Sequence, residues 1–249
     1  MAIIIRYGEI ALKGLNRPEF EKRLIKNIKD CLIKNNVNYS EIKRLRGRII
    51  INSNEKCDQL KKVFGITSFS YAKTTEIDLD KIKKLALKYY TSGTFRISVK
   101  RLKKELFASP KLEKEIGSYI VEHTKAKVNL TKPDINISIE IADKAYVFNK
   151  KIKANGGLPV GSEGKVAVLL ENEKSPEAAI RMLKRGCEVI LINLKDINYD
   201  IIKNYVYGFK LKVMKNIPNY INVIVVSETI ENIKKRDFKD KIVLRPVII

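Results

Sequence analysis

Acidic residues are scarce in this 249-residue sequence: 28 Asp and Glu stand against 50 Lys and Arg, a formal net charge of +22 at pH 7. Cysteine and histidine are scarcer still. The three cysteines, Cys31, Cys57 and Cys187, lie far apart, no CxxC pair occurs, and His123 is the single histidine. That set does not supply a zinc site or a disulfide framework, so no metal is expected. No apolar run approaches the roughly 18 residues needed to cross a bilayer, so no membrane partner is expected either. Met1 to Arg6 is too short and wrongly flanked for a signal peptide, which makes the cytoplasm the expected compartment. Internal repeats and low-complexity tracts are also lacking.

Apolar residues make up 45% of the chain and run along its whole length, which argues for a folded protein of two or three small domains. The basic excess is uneven: +8 over residues 1–72, +9 over 73–155 and +5 over 156–249. Sustained positive charge is the footprint of a polyanion ligand, because each neutralised phosphate releases counterions. A heat-adapted composition would raise Glu alongside Lys, and Glu has not risen here. The charge therefore favours nucleic acid.

Residues 2–6 (AIIIR) read as a buried strand. Asn16 offers an N-cap with Glu19 as its capping-box partner, and Phe20, Leu24, Ile28 and Leu32 follow at helical spacing, predicting a helix over 17–34. A strand is expected at 48–52, followed by a short helix with Leu60, Val63 and Phe64 that Gly65 stops, in a strand–helix–strand–helix–strand α+β layer. A second unit begins near residue 73. Asp78 or Asp80 caps its first helix, 95–99 is a strand, Ser109-Pro110 starts a helix, and 135–141 (INISIEI) alternates strictly before pairing with 145–149. Residues 154–164 (ANGGLPVGSEG) are rich in glycine and read as a hinge. Apolar strands beyond it, at 165–170, 188–193, 221–226 and 242–244, alternate with helices and suggest a small parallel α/β layer.

Together these segments resemble the tRNA 4-thiouridine synthetases, or tRNA sulfurtransferases. IIIRYGEIALKGLNRPEFEKRLIKNI is similar to that family's ferredoxin-like start. FRISVKRLKK with SPKLEKEIGSYIVEHTKAKVNLTKPDINISIEI resembles a THUMP domain, an RNA-binding module of tRNA-modifying enzymes. GGLPVG resembles the linker into an ATP-using PP-loop domain, and KVAVLL its first strand. The resemblance implies an α+β and α/β architecture: a ferredoxin-like domain over 1–72, a THUMP domain over 73–153, a linker over 154–164, and a reduced PP-loop-like α/β domain over 165–249.

The resemblance also shows what is missing. The family's glycine-bearing PP-loop is represented by Glu171, Asn172, Glu173, Lys174 and Ser175, a stretch without glycine. Backbone N–H groups must close around pyrophosphate there, and two carboxylates oppose it by about 1 kcal/mol or more per pair. Ser175-Pro176 is adequately explained as a helix cap. A second family segment is represented by Ser227 to Asn232, also without glycine, and no cysteine follows Cys187, which reads as structural. These departures imply a degenerate nucleotide loop, no catalytic residue and no cofactor. ATP and Mg enter only under an alternative reading, a divergent adenylating sulfurtransferase completed by other subunits.

The candidate RNA contacts are basic. Lys100, Arg101, Lys103 and Lys104 leave a strand in one burst, and Lys111, Lys125, Lys127, Lys150, Lys151 and Lys153 extend the patch. Arg6, Lys13 and Arg17 surround a turn at Gly8, and Arg44, Arg46 and Arg48 form an alternating stripe on one strand, where arginine suits phosphate. Against them stand solvated loops and pairing with Glu9 or Glu41. Phe107 and Tyr119 are candidates for base stacking, with core packing as the other reading of Tyr119, and His123 reads as a helix-end cation. The implied partners are tRNA, at its acceptor stem and 3′ end, and a separate tRNA-modifying enzyme. A homodimer stays open. A third reading is a structural partner without RNA contact, against which the charge over 1–155 speaks.

Overall fold

The computed structural model describes residues 1–45, 47–102, 109–233, 236, 238 and 240–248. Arg46, Lys103, Lys104 and Phe107 lie outside the described residues. In chain order the elements are β1 (Ala2–Arg6), α1 (Arg17–Lys34), β2 (Glu41–Leu45), β3 (Arg48–Asn52), β4 (Ser68–Thr75), α2 (Leu79–Leu87), β5 (Phe95–Arg101), α3 (Ser109–Thr124), β6 (Ile135–Ile141), β7 (Ala145–Phe148), β8 (Ile152–Lys153), β9 (Lys165–Leu170), α4 (Ser175–Lys184), β10 (Glu188–Asn193), α5 (Asp200–Lys203), β11 (Lys212–Met214), β12 (Val223–Val225) and β13 (Ile242–Leu244). No helix among the described residues is long and apolar enough to cross a membrane.

Two compact units cut across the modules expected from the sequence. The first comprises 1–6, 37–56 and 69–152, and the second 7–36, 57–68 and 153–249. In the first, the strands run in the order β2-β3-β1-β4-β7-β6-β5, with β8 on β4. Alternation decides the faces of β5 and β6, because successive side chains on a strand point to opposite sides. Phe95 and Ile97, with Ile137, Ile139 and Ile141, are buried in one cluster with Ile82 and Ala86 of α2 and Leu112, Ile116 and Ile120 of α3. Each such isoleucine contributes roughly 1.5–3 kcal/mol. Arg96, Ser98 and Lys100, with Asn136, Ser138 and Glu140, fall on the other face. α2 is capped by Asp78, whose Oδ1 accepts the Lys81 N–H at 2.8 Å.

Three expectations are corrected. Asn16 precedes α1 but makes no side-chain cap bond, so the capping box with Glu19 does not form; a 3₁₀ turn, Gly14–Asn16, already feeds the helix. Arg44 and Arg48 do not share a strand. β2 and β3 form an antiparallel hairpin with Leu45 opposite Arg48, so the arginine stripe is broken by a turn. Residues 154–164 are a pinned segment instead of a hinge. Gly156 N–H donates to Ile66 O at 2.8 Å, Leu158 N–H to Lys184 O at 2.9 Å and Gly161 N–H to Gly186 O at 2.7 Å. Gly157 serves close backbone approach: at its φ of +77° a Cβ would lie 2.2 Å from Lys184 O.

In the second unit α1 buries Leu24, Ile28, Cys31 and Leu32, as its spacing predicts. The five-stranded sheet has the order β11-β10-β9-β12-β13, and every pair is parallel. The expected parallel layer is present, with β11 as a strand that sequence reading passed over.

Candidate nucleic-acid interface

The outward face of β5 and β6 forms the floor of a cleft of about 470 Å³ in the first unit. Arg6, Arg48, Lys100, Lys150 and Lys151 line it against one carboxylate, Glu140. Ser98, Asn136 and Ser138 supply polar floor, with Ser98 Oγ donating to Asn136 Oδ1 at 2.9 Å. Lys100, Lys150 and Lys151 are exposed and make no ion pair among the described residues.

At the base two arginines share Glu140. Arg6 donates to Oε1 from Nε at 3.0 Å and from Nη2 at 2.8 Å, and Arg48 Nε donates to Oε2 at 2.7 Å. Arg6 Nη1 also reaches Ser70 Oγ at 3.0 Å, and its guanidinium lies 4.9 Å from the Phe148 ring centroid. Arg6, Arg48 and Glu140 are 7%, 9% and 5% exposed. Burial alone would raise the Glu140 carboxyl, but the hydrogen bonds and charges of Arg48 and Arg6 hold it below its ordinary value. Burial lowers the Arg6 guanidinium against the opposing pull of Glu140. Arg6 and Arg48 are therefore corrected from free phosphate contacts to members of a buried triad with Glu140. Sequence reading missed Glu140, Ser98, Asn136 and Ser138; the outward half of the same alternation was their signal.

The two described residues of the basic burst part company. Lys100 lines the cleft, whereas Arg101 points to the other face and donates from Nε to Ser109 Oγ at 3.2 Å. Lys103 and Lys104 lie outside the described residues. Lys111 is exposed in the first turn of α3. Lys125 and Lys127 sit at the opposite end of β5, where Phe95 N–H donates to Lys127 O at 3.1 Å, and so do not extend the patch. Five strand residues at roughly 3.3 Å each separate that end from Lys100. Arg44 and Lys153 are exposed. Lys13 pairs with Glu163 at 2.9 Å, and Arg17 with Glu21 at 2.7 Å and the Tyr7 hydroxyl at 3.0 Å. Their partners are neither Glu9 nor Glu41. Tyr119 lies beside His123, ring centroids 4.0 Å apart, outside the buried cluster of Ile116 and Ile120.

At the carboxyl ends of β9 and β12 the loop residues are tied to one another. Ser175 is the first residue of α4, with Lys174 as N-cap, and its Oγ accepts the N–H groups of Glu171 at 3.0 Å and Asn172 at 3.2 Å. The serine thus closes the preceding loop, which corrects its reading as a cap of its own helix. Glu171 is not a bare carboxylate, because Arg236 pairs with it at 2.7 Å; Glu173 and Lys174 are exposed. Cys187 is buried, and burial raises its thiol, as a structural cysteine requires. Among the described residues no group of three or more His, Cys, Asp or Glu is placed to hold a metal.

Residues 2–70 match the ThiI ferredoxin-like domain and residues 74–149 the THUMP domain. A probable tRNA sulfurtransferase of Thermococcus kodakarensis is 35% identical over 237 residues, 85% of this chain and 62% of that protein. One from Methanocaldococcus jannaschii is 38% identical, over 78% of this chain and 56% of that protein. The chain thus spans about three fifths of the length of these curated relatives. The crystal structure of PH1313 from Pyrococcus horikoshii superimposes with a TM-score of 0.89 at 32% identity, covering 99% of this chain and 94% of that one. A 4-thiouridine synthetase–RNA complex with bound ATP shares the fold, with a TM-score of 0.79 at 24% identity, 99% of this chain and 81% of that one. With both domains in place and these relatives along its length, the chain belongs to the tRNA sulfurtransferase (4-thiouridine synthetase) family.

Proposed function

We propose that the protein binds tRNA without catalysing thiolation, gripping the phosphates of the acceptor stem and 3′ end in the cleft of the THUMP sheet. It would present that region to a separate modifying enzyme. The observation that carries the reading is the charge balance of the cleft: five cations face one carboxylate that is already held by two of them. Lys100, Lys150 and Lys151 are left as mobile point charges over a polar floor, which suits a backbone whose spacing varies. The experiment is tRNA binding by the full chain with Lys100, Lys150 and Lys151 changed to Glu. Unchanged affinity would remove the cleft from the account.

A second reading is favoured by one feature. The parallel sheet reverses its strand order between β9 and β12, the topology at which such sheets bind nucleotides. Under that reading the chain adenylates tRNA together with other subunits. Saturable binding of ATP and magnesium in calorimetry would put it first.

A further inference from the structure

The carboxyl edge of the five-stranded sheet carries a second arginine–carboxylate cluster, one that the tRNA cleft does not use. Glu171 follows β9 directly, and Glu228 comes shortly after β12. Arg236 donates from Nη1 and Nη2 to the two oxygens of Glu171, each at 2.7 Å, and from Nε to Glu228 Oε1 at 2.5 Å. Arg245, just past β13, donates from Nε to the other Glu228 oxygen at 2.7 Å. Glu228 is 3% exposed. A planar guanidinium takes a phosphate with the same two-pronged geometry that it uses here for a carboxylate. The position is also the crevice beside a strand-order reversal, where open parallel sheets hold anionic ligands.

The neighbouring backbone donors are spoken for as well. Glu171 and Asn172 N–H groups go to Ser175 Oγ, and Lys174 N–H goes to Asn172 Oδ1 at 2.9 Å. Ser175 and Ser227, 0% and 1% exposed, share a hydrogen bond of 2.8 Å that ties the two loops together. Both arginines of the crevice are engaged by carboxylates of the same chain.

We propose that Glu171 and Glu228 occupy an anion seat built by Arg236 and Arg245, and hold it shut against pyrophosphate-like ligands. This deepens the non-catalytic reading above and rests on it. Displacement of these pairs by a polyphosphate would strand the buried Glu228. Glu171, the more accessible of the two, is the latch. Its removal frees both terminal nitrogens of Arg236 while Glu228 continues to hold Arg236 and Arg245 in place.

The test is calorimetry of the full chain with inorganic pyrophosphate, comparing the unmodified protein, Glu171→Ala and Glu171→Ala/Arg236→Ala. The unmodified protein should show no saturable binding. Glu171→Ala should bind at least about tenfold more tightly, roughly 1.4 kcal/mol, and the second substitution should abolish the gain. A folded Glu171→Ala protein without gain, or a gain that survives loss of Arg236, overturns the proposal. Glu171→Ser is made in parallel, with folding read by circular dichroism. Thermal melts of the unmodified protein in pyrophosphate supply a readout that needs no variant. No shift in Tm is expected, and a rise overturns the latch. Silence in the unmodified protein with no gain in the variants sinks the latch alone. Binding of ATP and magnesium by the unmodified protein sinks both the latch and the non-catalytic reading.

Discussion

The THUMP cleft and the carboxyl edge of the parallel sheet are built from the same parts, two arginines and buried glutamate, and differ in stoichiometry. In the cleft, Arg6 and Arg48 share one carboxylate, and three exposed lysines stand beside them. At the sheet edge, Arg236 and Arg245 are held by two carboxylates, Glu171 and Glu228. Buried ion pairs are weak evidence for stability, since desolvation opposes their attraction. Their effect on binding is clearer. Exposed lysines over the triad invite a polyanion, and arginines already engaged by two carboxylates do not.

The largest expected effect breaks the cleft. Changing Lys100, Lys150 and Lys151 together to Glu should lower tRNA affinity by more than about 100-fold near 0.1 M salt, with stability moving by only a few tenths of a kcal/mol per site. Reversing Lys203, Lys210 and Lys212, exposed residues of the second unit, should change affinity less than about threefold. Filter binding and thermal melts on the same samples separate the two outcomes. Equal losses in both sets would show that net charge, and not the cleft, holds the RNA.

Next comes the triad. Glu140→Ala leaves two buried guanidinium groups without their carboxylate and should cost about 3–5 kcal/mol. Glu171→Ala should cost less, because Arg236 keeps Glu228 and the Glu171 side chain is 17% exposed. Denaturant melts of both variants check the order, and a reversed order would mean that the quartet is the more tightly coupled of the two.

Acid titration sharpens the same contrast. The folded Glu140 carboxyl sits below its unfolded value of roughly 4.3. Its stabilising contribution is therefore complete above that unfolded value and is lost as pH falls through the lower folded one. Glu140→Gln should flatten the decline in stability below about pH 4. An unaltered acid limb in that variant would remove the triad as its cause.

The smallest effect concerns Lys125 and Lys127. Their change to Glu should weaken tRNA binding by less than about threefold, because they stand at the far end of β5 and lose only general attraction.

Much of the fold was legible in local pattern. Strict alternation in INISIEI and FRISV identified β5, β6 and their buried faces, and helical spacing identified α1 and α3. β2 was missed because EIKRL carries only two apolar residues and fully buries none of its side chains. The glycines of 154–164 read as mobility, whereas at Gly157 close backbone approach requires one, and composition does not separate the two. Half of the cleft was legible, as Lys100, Lys150 and Lys151. The other half depends on Glu140, whose partners Arg6 and Arg48 lie 134 and 92 residues away in sequence. Arg236 was passed over for the same reason, since its partner Glu171 is 65 residues distant.

The salt dependence of tRNA binding tests the central claim most directly. Four to six phosphate contacts should make log K fall against log salt with a slope of roughly −3 to −5. In the Lys100, Lys150 and Lys151 variant the slope should shrink by about 2 to 3, one increment for each lost contact. A slope unchanged by those substitutions, or an affinity that does not respond to salt, would contradict the account.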